Sequence, residues 1–232
     1  MSSNFGRQLS ANSRPLRENS PMSEDENALE ERLVQMVRSN PSLMELLRAA
    51  RSLKLKSWCI GAGAVRSLVW DKLHGFTTPS HIDDVDVVYY DETAGAERDS
   101  ELAKQLLEFA PSACWEVTNQ AQVHEWFLAA RSEVVQPLRS LEDGIATWPE
   151  YATCVGVRLS LDDTIEVVAP HGLEDLFHLR VRHNPIRASA AVFKERVTSK
   201  RFTERWPMLS IVPGGPRYCA AAGQEQTLAD DW

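Results

Sequence analysis

Residues 58–91 read WCIGAGAVRSLVWDKLHGFTTPSHIDDVDVVYYD. Trp58-Cys59-Ile60 is a short apolar run of the kind that forms a buried strand. Gly61-Ala62-Gly63 breaks it, and Ala64 to Trp70 has helical character. Glycines permit a sharp turn and close backbone approach. A helix beginning at that turn aims free N–H groups and the positive end of its dipole at whatever lies above, which suits a phosphate. Arg66, one turn in, adds a charged fork. The second half carries acids: Asp84-Val85-Asp86-Val87-Val88-Tyr89-Tyr90 alternates as a strand does, so Asp84 and Asp86 share a face, about 6–7 Å apart at Cβ. Two carboxylates on one rigid face repel unless a proton or a cation intervenes. Mg²⁺, a hard ion that also binds phosphate oxygens, satisfies both needs. A phosphate-cradling turn followed by a same-face Asp pair is a phosphoryl-transfer arrangement.

These residues carry a resemblance. Gly61-Ala62-Gly63-Ala64-Val65-Arg66 followed by Asp84-Val85-Asp86 resembles the polymerase-beta-like nucleotidyltransferase superfamily, with its glycine turn, helix and Asp-x-Asp strand. The blocks WCIGAGAVR (58–66), DVDVVYYD (84–91), WEVTNQAQVHEWF (115–127), ATWPEYATCVGVRL (146–159) and APHGLEDLF (169–177) look closest to a group of small bacterial nucleotidyltransferase family proteins. The resemblance spans residues 55–210. It implies an α/β (α+β) fold: a nucleotidyltransferase-like mixed β-sheet flanked by helices, here with a helical N-terminal segment. It also implies a third carboxylate on a later strand beside the Asp pair. Glu166, on the strand expected over 164–168, is the residue that order and strand character select.

The expected activity is Mg²⁺-dependent transfer of a nucleoside monophosphate from a nucleoside triphosphate, such as ATP, to an acceptor hydroxyl or phosphate. Asp84, Asp86 and Glu166 are the expected catalytic and metal-binding residues, for one or two ions. Gly61, Ala62, Gly63, Arg66, Arg196 and Lys200 are the expected phosphate contacts. Asn119, Gln120 and His124, at the end of a core strand, are candidates for substrate contact, against the alternative that Asn119 and Gln120 satisfy a turn's backbone. The acceptor is left open between a small molecule, a protein side chain and an RNA end. The competing readings are an inactive nucleotide-binding or protein-interaction module of the same fold, and a phosphohydrolase.

The rest of the chain bounds these expectations. Its 232 residues suit one sizeable domain, and 43% hydrophobic content supplies a core. Residues 1–28 read as a disordered tail, 29–212 as the domain and 213–232 as a poorly ordered C-terminal tail. A helix is expected from Leu29 and a second one capped by Asn40-Pro41. Cys59, Cys114, Cys154 and Cys219 show no metal-ligand spacing, and three of the four, in apolar surroundings, read as buried thiols. No 18-residue apolar run and no apolar leader occur, so no membrane association and a cytoplasmic location are expected. The net charge of −8 argues against a broad nucleic-acid face, although residues 180–205 hold eight basic against two acidic residues.

Overall fold

The protein is described by a computed structural model, which places residues 24–131 and 134–212. Five strands form the main sheet: β1 (Trp58–Gly61), β2 (Val85–Tyr89), β3 (Trp115–Asn119), β4 (Gly156–Leu159) and β5 (Ile165–Val168), in the order β3-β2-β1-β4-β5. Only β2 and β3 pair in parallel; every other pairing in this sheet is antiparallel. The mixed α/β architecture is the one expected from the sequence.

The antiparallel pairing of β1 with β2 positions the site. Helix α3 (Gly63–Leu73) follows β1, and the irregular loop 74–84, with Gly75 at φ +68°, turns the chain back. Ile60 therefore pairs with Val87, and the end of β1 lies beside the start of β2. Because β3 runs parallel to β2, its start also reaches this end of the sheet, with Glu116 directly opposite Asp86. Gly156 of β4 pairs with Gly61, which brings the segment before β4 to the same place.

Helices α1 (Glu24–Arg38) and α2 (Pro41–Ser52) pack their apolar faces on the domain through Leu33, Val37, Leu43, Met44 and Leu47. The Asn40 side chain caps α2 by accepting from the Leu43 N–H at 2.9 Å, with Pro41 in the first turn as its missing donor allows. Helix α1 starts at Glu24, five residues ahead of the expected domain boundary, since its acidic first turn favours the helix N-terminus. The expectations for residues 1–23 and 213–232 lie outside the described residues. Cys59 and Cys154 are buried, while Cys114 is exposed. No helix among the described residues is long and apolar enough to cross a membrane.

Helix α3 is buried from Gly63 to Asp71. Helix α4 (Arg98–Phe109) packs against β3, α5 (Val123–Arg131) follows β3, and α6 (Leu141–Ala146) is capped by Ser140. After α7 (Glu174–Phe177), a second sheet pairs β6 (Arg180–Arg182) with β7 (Ser210–Val212) in parallel, enclosing α8 (Ala190–Ser199) and α9 (Phe202–Arg205). This C-terminal unit is anchored on α3. Phe202 and Trp206 pack edge-on against Trp70, with ring centroids 5.7 and 5.1 Å away. The Trp206 indole N–H donates to buried Asp71 at 2.7 Å. The anchoring holds α8 over the N-terminus of α3.

Candidate active site

A cleft of about 490 Å³ opens at the shared end of β1, β2 and β3, within the usual size range of ligand sites. Its floor is acidic. Carboxylate oxygens of Asp84, Asp86 and Glu116 all lie within 4.8 Å of one another. Asp84 and Asp86 are half-buried and Glu116 is exposed. Burial raises the Asp86 carboxyl to about 6, reinforced by the charges of Asp84 and Glu116 and partly offset by Arg66 and Lys200.

This trio differs from the expected one. Glu166 sits on β5, three strands from β2, or about 14 Å away at ordinary strand spacing. Its Oε2 accepts from the Arg158 Nε at 2.8 Å across the β4–β5 pair. The carboxylate beside the Asp pair is that of Glu116. Alternation in Trp115-Glu116-Val117-Thr118 puts Glu116 and Thr118 on one face of a strand, but only the pairing of β3 with β2 shows whose neighbour that face is.

The opposite wall of the cleft is basic. Arg66 is 5% exposed, with its guanidinium over the Phe202 ring at 5.1 Å and its Nε without a hydrogen-bond partner. Burial pulls its pKa down to about 10, against the raising charge of Glu150. Arg196 on α8 and Lys200, the C-cap of that helix, also line the cleft. Arg196 forms a bidentate pair with fully buried Glu150, at 2.7 and 3.2 Å. Burial alone would lower its pKa, but the Glu150 bond and the charges of Glu150, Asp86 and Asp84 raise it. The same glutamate accepts from the Thr153 hydroxyl at 2.9 Å.

The glycine turn divides its work. Ala62 and Gly63 line the cleft and Gly61 does not. A Cβ on Gly61 would lie 2.4 Å from Cη2 of Trp148, so that glycine is needed for the indole's close approach rather than for a ligand. A Cβ on Gly63 would face Asp84 Oδ1 at 3.8 Å and an Arg66 nitrogen at 3.9 Å, at the junction of the acidic and basic walls. Ala62 holds φ +42° and ψ −106°, a strained conformation for a residue with a side chain.

The polar trio after β3 separates. Asn119 takes the structural role: its Oδ1 accepts from the N–H groups of Asp91 and Ala121, each at 3.1 Å, and its Nδ2 donates to the Asp91 carbonyl at 2.7 Å. Gln120 does line the cleft, where Gly144 leaves it space: a Cβ there would lie 2.5 Å from Gln120 Oε1. His124 is half-buried on α5, is not among the cleft residues, and its Nδ1 has no hydrogen-bond partner. Three aromatic residues absent from the sequence-derived set also line the cleft: Trp126, Phe127 and Trp148. Their polar neighbours drew attention in the sequence, whereas an aromatic on a helix reads as core.

Comparison with known proteins bears on the family and the fold. Residues 48–211 match the model of a family described as "Nucleotidyltransferase". A solved structure described as revealing a CCA-adding enzyme head domain is 29% identical, with a TM-score of 0.68, over 79% of this chain and 96% of that one. A tRNA-processing enzyme complex (19% identity, TM-score 0.43) and a tRNA-processing enzyme with CTP (18%, 0.41) each match 72% of this chain, which spans 42% of each of theirs. No curated protein gives a significant match. With a family match over most of its length and the fold of that head domain, this chain belongs to the nucleotidyltransferase family and is a transferase of phosphorus-containing groups.

Proposed function

We propose that the protein transfers a nucleoside monophosphate from a nucleoside triphosphate to an acceptor hydroxyl or phosphate, using Mg²⁺ held by Asp84, Asp86 and Glu116. The observation that carries this reading is the carboxylate trio facing the Gly63–Arg66–Lys200 wall within one cleft. The donor set fits the ion. All three groups are hard oxygen ligands, and with their oxygens within 4.8 Å of one another, side-chain rotation is enough to bring them onto one Mg²⁺. Burial, and after it the charges of Asp84 and Glu116, raise the Asp86 carboxyl, and a bound cation would offset both. When bound, the ion would polarise the α-phosphoryl group and lower the pKa of the attacking hydroxyl.

The protein's own groups supply position and charge. The N–H groups of α3 from Gly63 onward and the Arg66 guanidinium bind the β- and γ-phosphates and stabilise the pyrophosphate as it leaves. Lys200 adds charge at the end of α8. Arg196 is a weaker phosphate ligand than the sequence suggests, because Glu150 already occupies its fork. Its role is to fix α8 over the site. Glu116, the most exposed of the three carboxylates, faces an acceptor approaching along β3 and accepts its proton.

Calorimetric titration of each nucleoside triphosphate, with and without Mg²⁺, tests the donor side. Binding by the wild type that vanishes without Mg²⁺, or in the Asp84→Asn/Asp86→Asn variant, is expected; metal-independent binding unaffected by those substitutions overturns the assignment. Turnover separates the two glutamates. Glu116→Gln is expected to lower kcat by roughly 100-fold or more, as loss of a metal ligand does, while Glu166→Gln stays within a few-fold of wild type. The reverse order would return the third carboxylate to β5.

A further inference from the structure

In the order β1, β2, β3 the Asp pair stands in the middle, with Gly63 opening the helix after β1 on one side and Glu116 of β3 on the other. An in-line displacement puts the leaving pyrophosphate and the entering oxygen on opposite sides of the α-phosphorus. With the β- and γ-phosphates on the Gly63–Arg66–Lys200 wall, the acceptor enters from β3 and meets what lines the cleft there. Thr118 shares the face of Glu116, two residues and about 6–7 Å farther along the strand, and Gln120 follows where β3 ends. Gln120 is 4% exposed, and no group among the described residues hydrogen-bonds its side-chain amide. Buried amides ordinarily have partners, because leaving one unpaired costs stability. The adjoining turn does not use this amide, since Asn119 braces that backbone. The side chain is also held in place. A Cβ on Gly144 would lie 2.5, 2.9 and 3.0 Å from its Oε1, Cγ and Cβ, so it lies flat against the backbone of α6. Val88 and Val123 add apolar surface. Arg187 also lines the cleft, with its guanidinium on the Gln136 carbonyl and over the Phe127 ring.

We propose that Gln120 determines acceptor specificity, and that the acceptor is a hydroxyl compound carrying a second, uncharged hydrogen-bonding group that pairs with this amide. The assignment rests on the nucleotidyl-transfer reading above and deepens it by naming the class of acceptor. The acceptor O–H lies beside Glu116, which takes its proton as the oxygen bonds to the α-phosphorus. The bond from that phosphorus to the bridging oxygen of the β-phosphate breaks, and pyrophosphate leaves toward Arg66 and Lys200. A phosphate acceptor fits the β3 side poorly: its charge would meet Glu116, while Arg66 and Lys200 stand on the leaving-group wall. An amide donates and accepts side by side, so it pairs with a hydroxyl, another amide or a base edge, and it rejects an apolar group that would leave it unpaired.

The test uses the full chain and its Gln120→Met variant, which keeps the length of the side chain against Gly144 and loses its hydrogen bonds. ATP, CTP, GTP, UTP and inorganic tripolyphosphate are titrated with Mg²⁺. Pyrophosphate release is then followed with adenosine and glucose as neutral acceptors, beside AMP and glucose 1-phosphate. In the wild type, adenosine or glucose is expected to speed release saturably, and to do so better than its phosphate ester. Gln120→Met should raise the KM of that acceptor by about 3- to 10-fold, the range of one hydrogen bond, with kcat within about twofold and triphosphate affinity unchanged. Its Tm should match or exceed that of the wild type, since an apolar group replaces a buried unpaired amide. Preference for the esters, or no acceleration by any of the four, overturns the acceptor class. Weaker triphosphate binding with tripolyphosphate unchanged would move Gln120 to the donor base, and a Tm lower by several degrees with KM unchanged would make it structural; either overturns the assignment. If the wild type binds no triphosphate with Mg²⁺, the nucleotidyl-transfer reading itself fails instead.

Discussion

The Asp86 carboxyl sits half-buried beside Asp84 and Glu116, and its burial first, then their charges, raise its proton affinity. Its carboxyl titrates at about 6 in the folded chain, against roughly 3.9 for an unfolded aspartate. Between those values the folded form holds a proton that the unfolded form has released. Stability of the metal-free protein therefore falls as pH rises through about 4 to 6, by on the order of 2–3 kcal/mol from this group. Asp86→Asn removes that loss. In urea unfolding without metal, the variant is expected to match the wild type near pH 4 and to exceed it at pH 7.5. Added Mg²⁺ should then stabilise the wild type at pH 7.5 and leave the variant unmoved. A variant less stable than the wild type at pH 7.5 without metal would show that Asp86 is paired rather than strained.

Among the elements, the turn from β1 to α3 holds the clearest cost. Ala62 takes a left-handed φ that glycine adopts freely, between an N–H bonded to the Val155 carbonyl at 3.1 Å and a carbonyl that accepts from Arg66 N–H at 3.0 Å. Strain of this kind costs about 1–3 kcal/mol, while glycine adds about 0.5–1 kcal/mol of unfolded-state freedom. Ala62→Gly is accordingly expected to raise the melting temperature by a few degrees; a clear drop would mean that the methyl group contributes packing that outweighs the strain. The neighbouring Gly61 behaves oppositely, since any side chain there would strike Trp148. The glycine pattern was legible in the sequence as a turn, but it could not separate the glycine that serves packing from the residues that face the cleft.

Across the whole molecule, the site depends on the C-terminal unit staying docked. Among the bonds that hold it are Trp206 to buried Asp71 on α3, and Arg196 on α8 to buried Glu150. Glu150→Ala would leave Arg196 unpaired beside buried surface. Breaking a fully buried pair costs about 3–5 kcal/mol, and the expectation here is nearer 2 because Arg196 remains 33% exposed. For a domain of this size that is a fall of roughly 4–8 °C in Tm. Triphosphate affinity should fall with it, since α8 and Lys200 lose their registration over α3. Differential scanning fluorimetry and calorimetry on the same variant check both; unchanged Tm with unchanged affinity would show that the Arg196–Glu150 pair does not hold the unit.

The sequence by itself determined the local parts: a strand, a glycine turn, a helix and two acids on one strand face, because dihedral freedom and side-chain alternation are properties of neighbours along the chain. It also determined the cap at Asn40 and the basic character of residues 180–205. Only the tertiary structure decided which strands lie side by side. That choice placed Glu116 against Asp86 and sent Glu166 to Arg158, turned Asn119 into a backbone brace, engaged Arg196 with Glu150, and set Trp126, Phe127 and Trp148 around the cleft. Strand order and helix docking are fixed by how distant apolar faces bury one another, and the resulting neighbours are separated by tens of residues that carry no local trace of the pairing.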